Sequence, residues 1–349
     1  MKTIVLTGGG TAGHVMPNIA LLPDLQKHFS NIIYIGTNGI EKQIAQSYNL
    51  PFYEISASKL TRKSIFKNLS LPFKLISSVS KSKKILKEIN PDIVFSKGGF
   101  VALPVVIASK QLGIPVLSHE SDLSMGLANK VILKFATLVL TSFEKTAKNK
   151  NKCLHVGSPI RQEIFHGNKQ KARELCGFEQ TNKKTILFFG GSLGAEAINQ
   201  ILITSAKDLL KNFNIIHITG KNNKTNIKES GYFQIDFTNE IQDFFALADI
   251  VISRAGANSL FELLALKKPM ILIPLPKGTS RGDQVENAIY FQEKGYAKVI
   301  HQENLNKSIL LKTINELDTK KLISNMQNTP YDNANKKIIT QILRHTKKR

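Results

Sequence analysis

Short apolar runs recur along the chain and alternate with segments whose apolar positions repeat at helical spacing. KTIVLT, residues 2–7, comes first and is followed by a helical pattern to about Phe29. NIIYIGT, PDIVFSKGG, PVLSHE and TLVLTS read as further short strands carrying Val and Ile. Strands of this kind separated by helices predict a parallel sheet covered on both faces. The order restarts after Ser158 with TILFFGGSLGA, a helix through about Lys211, then NIIHITG, ADIVISRAGA and PMILIPL. The pattern therefore predicts an α/β protein of two Rossmann-like domains. Gly157 and Pro159 in HVGSPIRQEI break the pattern, which puts the domains at residues 1–158 and 159–332. Near the C-terminus Ile338, Ile339, Ile342 and Leu343 share one helical face. A helix at about 333–349 must pack, and the first domain is its expected seat.

Glycine bends follow several of these strands. Gly8, Gly10 and Gly13 in TGGGTAGHVMP satisfy G-x-G-x-x-G between a strand and a helix, whose entry is expected near Pro17. A dinucleotide fold wants an acid at the end of the second strand for the ribose. Here that end reads Gly36-Thr37-Asn38, which argues against NAD. Further bends are Gly98-Gly99 in FSKGGFVALP and Gly190–Gly194 in FFGGSLGAEAIN. Several such bends in two tandem halves favour a nucleotide or phosphate cleft. In ADIVISRAGANSLFELLALKKPMILIPL, a buried strand ends at Ser253 and a helix is expected to start near Ser259, with Glu262 in its first turn. A helix N-terminus suits a diphosphate, and an acid beside it suits ribose hydroxyls, or simply the macrodipole. Downstream, SRGDQVENA supplies Gln284 and Asn287.

Charge changes the picture. Among 349 residues, 48 Lys and Arg against 26 Asp and Glu give a net charge of +22. Such an excess implies an anionic partner or a solvated lysine-rich surface. Residues 59–89 read KLTRKSIFKNLSLPFKLISSVSKSKKILKEI, in which Ile65, Phe66, Leu69, Leu71, Phe73, Leu75 and Ile76 are interleaved with cations. That pattern suits contact with an anionic membrane surface, or ordinary helix core. A basic nucleic-acid-binding protein is the alternative of a different class, but no helix-turn-helix, RRM or zinc motif accompanies the charge. Cys153 and Cys176, the two cysteines, have no metal-type spacing and suit a reducing compartment. The N-terminus does not read as a signal peptide. The apolar runs are far shorter than the ~20 residues of a membrane span, so a soluble or peripheral protein is expected.

GGGTAGHVMP, FSKGGF, HESDLSMGLANK, GSPIR, GGSLGAEAIN, SRAGANSLFE and RGDQVENA together resemble the MurG family, UDP-N-acetylglucosamine transferases that convert lipid I to lipid II in peptidoglycan synthesis. The resemblance covers nearly the whole chain. It implies a GT-B fold, two Rossmann-like domains facing a central cleft, at the cytoplasmic face of the bacterial membrane. It implies that Thr11, Ala12 and Gly13 line the acceptor-side bend, with His14 beside them. It assigns UDP-N-acetylglucosamine to Arg161, Ser192, Gln284 and the run Ala257, Asn258, Ser259, Leu260, Phe261 and Glu262, with uracil near Phe237 to Ile241. Asp122 stands in HESD where other members read HEQN, whose Asn is a donor-sugar contact. Ala12 stands where many members have glycine, and GGFVALP replaces the GGYVSGP type.

The family's reaction is an inverting transfer to the C4 hydroxyl of the lipid-linked acceptor. A hydroxyl needs a base as it attacks, and a histidine is suitably poised. His14 is the candidate, with a loop-shaping role as its alternative and His119 as its rival. Metal-dependent glycosyltransferases use an Asp-x-Asp motif, which this sequence lacks. No metal and no cofactor are expected, and the helix end near Ser259, glycine N–H groups and Arg161 would stabilise the leaving diphosphate. Another GT-B glycolipid transferase or a UDP-sugar epimerase remains the alternative enzyme.

Overall fold

The fold was described from a computed structural model, for residues 2–58, 71–178, 183–191, 194–327, 329 and 333–347. Among these, thirteen strands form two sheets, and each strand pairs in parallel with its neighbours. The first sheet contains β1 (Thr3–Thr7), β2 (Asn31–Gly36), β3 (Phe52–Glu54), β4 (Ile93–Ser96), β5 (Val116–Glu120), β6 (Leu138–Thr141) and β7 (Cys153–His155), in the order β3-β2-β1-β4-β5-β6-β7. The second contains β8 (Lys184–Phe189), β9 (Phe213–Ile218), β10 (Tyr232–Ile235), β11 (Ile250–Ser253), β12 (Met270–Leu272) and β13 (Ala297–Val299), in the order β10-β9-β8-β11-β12-β13. Each order reverses once, between β1 and β4 and between β8 and β11. Loops at the carboxyl ends of those strand pairs flank the crevice where open α/β sheets take ligands.

The chain divides into two compact units, Met1–Arg161 with Asp332–Arg349, and Gln162–Tyr331. Alternation along β1 builds two cores in the first unit. Ile4 and Leu6 pack with Val15, Leu21, Leu22 and Leu25 on one face, while Val5 packs with Ile35, Val94 and Val105 on the other. The helix Ala334–His345 closes the first of these cores with Ile338, Ile339 and Ile342. Its buried Asn335 bonds both backbone groups of Ile160 and the carbonyl of Ala20. In the second unit Ile186 and Phe188 of β8 pack on Ile198 and Leu202 of the helix Glu196–Leu209.

Three local expectations need correction. The helical pattern to Phe29 is two helices, Ala12–Ile19 and Leu22–Leu25. Pro17 lies inside the first, so the helix enters at Thr11 and the bend leads straight into its first turn. The helix after SRAGA starts at Ala257, so Glu262 is its sixth residue and the first turn holds no acid. A simple macrodipole role for Glu262 is thereby excluded, because that effect is confined to the first turn.

Candidate active site

The bend after β1 is packed from below by the protein itself. Glu41, fully buried on the helix Ile40–Ser47, accepts from the backbone N–H of Gly10 at 3.2 Å and of Thr37 at 3.0 Å, and from the Thr37 hydroxyl. A Cβ on Gly9 would meet this carboxylate at 2.6 Å, and one on Gly10 would meet the Phe100 ring at 2.5 Å. Tyr34 Oη donates to the Gly8 carbonyl at 2.6 Å, with Asn18 bonded to it in turn. The glycines at 8–10 thus make room for internal contacts, not for a ligand's approach. Exposure begins at the next turn, where Thr11 and Gly13 are exposed and Ala12 and His14 are half-buried.

Thr11 occupies the N-cap position, yet its hydroxyl bonds no backbone N–H of the helix. It pairs with His14 Nδ1 at 3.0 Å. Two arrangements satisfy that contact. If Nδ1–H donates to Thr11 Oγ1, the Nε2 lone pair accepts protons. If the hydroxyl donates instead, Nε2 carries the hydrogen and cannot act as a base. The edge of the ring bearing Nε2 lies beside Gly99, whose added Cβ would stand 3.5 Å from Nε2. The first and second glycine bends therefore meet at His14, on either side of the reversal between β1 and β4.

Beyond β5 the segment HESDLSMGLANK is pinned by Glu120. Its carboxylate accepts from the N–H of Asp122 at 3.0 Å, the N–H of Gly126 at 3.2 Å and Asn129 Nδ2 at 2.7 Å. Asp122 itself is half-buried. His119 is fully buried, with Nε2 on the Gly157 carbonyl and Nδ1 on Lys97. Burial and the neighbouring lysine push its pKa well below the usual range. Both ring nitrogens are engaged, so His119 is a structural residue and not the rival base.

The second unit has a different character at its own strand reversal. Nothing among the described residues comes within 4 Å of a Cβ placed on Gly191, after β8, or on Gly256, after β11. Gly256 is the N-cap of the helix Ala257–Ala265, and no side chain caps it. Uncapped helix N–H groups and the open position at Gly191 thus follow the paired strands β11 and β8, and free helix N–H groups of this kind suit anions. Asn287 Nδ2 donates to the Ala255 carbonyl at 3.3 Å, and Arg254 Nη1 donates to the carbonyls of Ile273 and Pro274. These contacts fix the SRAGA turn. Gln284 accepts from the Leu275 N–H at 3.1 Å. Asn258, Ser259 and Glu262 are half-buried, whereas Ala257, Leu260 and Phe261 are buried. Phe261 stacks edge-on against Phe291 at 5.7 Å, so Leu260 and Phe261 have only backbone to offer a ligand. A depression of about 370 Å³ lined by Lys221, Lys224, Gln234, Asp236 and Phe237 lies past β10. Arg161 is half-buried at the end of the first unit, and Ser192 lies outside the described residues.

Residues 4–141 match the glycosyltransferase family 28 N-terminal domain, and residues 185–342 match the corresponding C-terminal domain. A protein of Clostridium tetani named as UDP-N-acetylglucosamine--N-acetylmuramyl-(pentapeptide) pyrophosphoryl-undecaprenol N-acetylglucosamine transferase is 46% identical, over 98% of this chain and 97% of its own. The chain belongs to the MurG family. A solved MurG structure, from Acinetobacter baumannii, shares the fold with a TM-score of 0.79 at 24% identity, covering 99% of this chain and all of that one. A UDP-GlcNAc 2-epimerase from Neisseria meningitidis has the same GT-B architecture, with a TM-score of 0.70 at 15% identity, over 99% and 100% of the two chains. At that distance the likeness is one of fold alone. In MurG terms, the sequence reading missed Glu41 and Lys97. An acid four residues past Thr37 is a weak signal of the first. The lysine inside FSKGGF was visible, but its burial was not.

Proposed function

We propose that this MurG family member transfers N-acetylglucosamine from UDP-N-acetylglucosamine to the C4 hydroxyl of the N-acetylmuramyl unit of lipid I, giving lipid II with inversion at the anomeric carbon. Identity of 46% along the full length of a relative named for that transfer carries the reading. The sugar nucleotide is read into the second unit, with its diphosphate at the Gly256–Asn258 helix end and the Gly191 bend, assisted by Ser192 and Arg161. Glu262 and Gln284 take ribose and sugar hydroxyls, Asp122 meets the donor sugar, and the exposed Phe237 is the neighbour of uracil. The acceptor meets Thr11, Ala12 and Gly13. As its O4 bonds to the anomeric carbon, the bond from that carbon to the UDP oxygen breaks. The hydroxyl proton passes to His14 Nε2, in the tautomer whose Nδ1–H donates to Thr11. UDP departs with its added charge facing N–H dipoles, without a metal.

A lipid-linked acceptor calls for membrane contact. The helix Leu71–Ile89 buries Ile85 and Leu86 but leaves Phe73 76% and Ile76 67% exposed, with Lys74 beside them. Residues 59–70 of the basic stretch lie outside the described residues. No helix among the described residues is long and apolar enough to cross a membrane. We therefore assign this face to anionic lipid at the cytoplasmic surface, as a peripheral attachment, and no role to nucleic acid. UDP release from UDP-N-acetylglucosamine, with and without a lipid I analogue, tests the reading. Release that depends on the analogue and yields the disaccharide-linked product supports it. Release without the analogue, or epimerised donor, refutes it.

A further inference from the structure

The proposed chemistry makes no use of Lys97. This residue follows β4 in the FSKGGF bend, and its side chain is turned inward, 2% exposed. Its Nζ lies 2.6 Å from His119 Nδ1 and 2.7 Å from Ser121 Oγ. A carbonyl oxygen accepts only, so the 2.9 Å contact with Gly157 puts the ring proton on His119 Nε2 and leaves Nδ1 to accept from Lys97. One amine thus ties together FSKGGF, HESD and the glycine of GSPIR, three stretches distant in sequence. The charged and titratable groups around it are His119 and Glu120 of β5, Asp122 of the following loop and His155 of β7, which acts on the His119 ring. From the first bend, Gly8 packs against its stem.

We propose that Lys97 is a positioning residue for substrate, whose ammonium holds the Ser121–Asp122 step in place and whose deprotonation releases it. The proposal rests on the transferase reading, in which Asp122 meets the donor sugar. Charge-assisted hydrogen bonds are about twice as strong as neutral ones, so loss of the proton weakens the hold on Ser121. It also removes a countercharge from Glu120 and Asp122. Burial lowers the Lys97 pKa from the usual 10.5 to about 7, against the opposing pull of those carboxylates. The change therefore falls within the working range of an enzyme.

The test is kcat and KM for UDP-N-acetylglucosamine from about pH 6 to about pH 9.5, in wild type, Lys97→Arg, Lys97→Met and Ser121→Ala. In wild type KM is expected to rise by about tenfold towards alkaline pH, with kcat changing far less. Lys97→Arg, whose guanidinium keeps its charge, flattens that rise. Lys97→Met shows the raised KM at every pH. Ser121→Ala, which removes the oxygen the ammonium holds, shows a raised KM already at low pH and a smaller rise towards alkaline pH. A flat wild-type profile, or a Lys97→Met enzyme with wild-type KM and pH dependence, overturns the proposal. Should Lys97→Met fail to fold by circular dichroism, Ser121→Ala decides it: wild-type KM and pH dependence in that variant overturn the proposal. Wild type that releases no UDP with the lipid I analogue refutes the transferase reading instead. Calorimetric binding of UDP-N-acetylglucosamine across the same pH range then reads the role of Lys97 separately.

Discussion

The hydrogen bond between Thr11 and His14 Nδ1 bears on which ring nitrogen can take a proton. Replacing His14 with Ala should lower kcat by roughly 10²–10⁴ while leaving donor affinity by calorimetry almost unchanged. Thr11→Val should lower kcat by about fivefold, the worth of one ordinary hydrogen bond that selects the tautomer. If His14→Ala stays within a few-fold of wild type, the ring only shapes the bend and the proton leaves by another route. His14 was legible in the sequence because it stands beside a glycine bend. Glu41 was not, because its carboxylate reaches the bend through the fold rather than along the chain. The end of β2 lacks the ribose acid of a dinucleotide fold, and the nearest acid is spent inward on the N–H groups of Gly10 and Thr37.

Nine of the thirteen described strands could be read as apolar runs, and the four that could not are the sheet edges: β3, β7, β10 and β13. Their sequences FYE, CLH, YFQI and AKV are short, and most of their residues are partly exposed. A buried parallel strand shows as a continuous apolar run, and an edge strand has no second neighbour to demand one. Helix starts were less legible, because the bends lead into helical turns without a capping side chain at Thr11 or Gly256. The uncapped end at Gly256 carries a prediction. If N–H dipoles hold the leaving diphosphate, turnover should survive EDTA, and loss of activity restored by magnesium or manganese would refute that account. The helix Leu71–Ile89 carries another. Phe73→Ser with Ile76→Ser and Lys74→Glu should weaken binding to anionic vesicles by at least about tenfold, since one lysine near such a surface contributes about 1 kcal/mol. Donor affinity should be unaffected, and a triple variant that still floats with vesicles would remove this helix from the membrane contact.

At the scale of the whole molecule, three fully buried basic groups among the described residues titrate below their usual range: Lys97 at about 7, His119 well below 6.5, and His217 at about 4, each chiefly through burial. In each case the unfolded chain binds more protons than the native one between the lowered and the usual pKa, so stability rises with pH across that window. Melting temperature should therefore climb from about pH 4 to about pH 9 at constant ionic strength. Lys97→Met should flatten the part of the climb above pH 7, where Lys97 is neutral in the native state and charged in the unfolded one. An unaltered slope above pH 7 in that variant would mean Lys97 keeps its proton when folded. The two-unit grammar was legible because the strand–bend–helix order restarts. The return of the last helix was legible only as an apolar face in need of a partner. That return has a consequence for biosynthesis. The first unit is interrupted in sequence by the whole of the second, so a ribosome must make Gln162–Tyr331 before the helix that covers Leu22 and Leu25 exists. At about 5–20 residues per second, the unfinished core waits on the order of ten seconds with apolar surface uncovered, while the second unit is already free to fold. A nascent chain stalled before Ala334 is thus the species most in need of a chaperone.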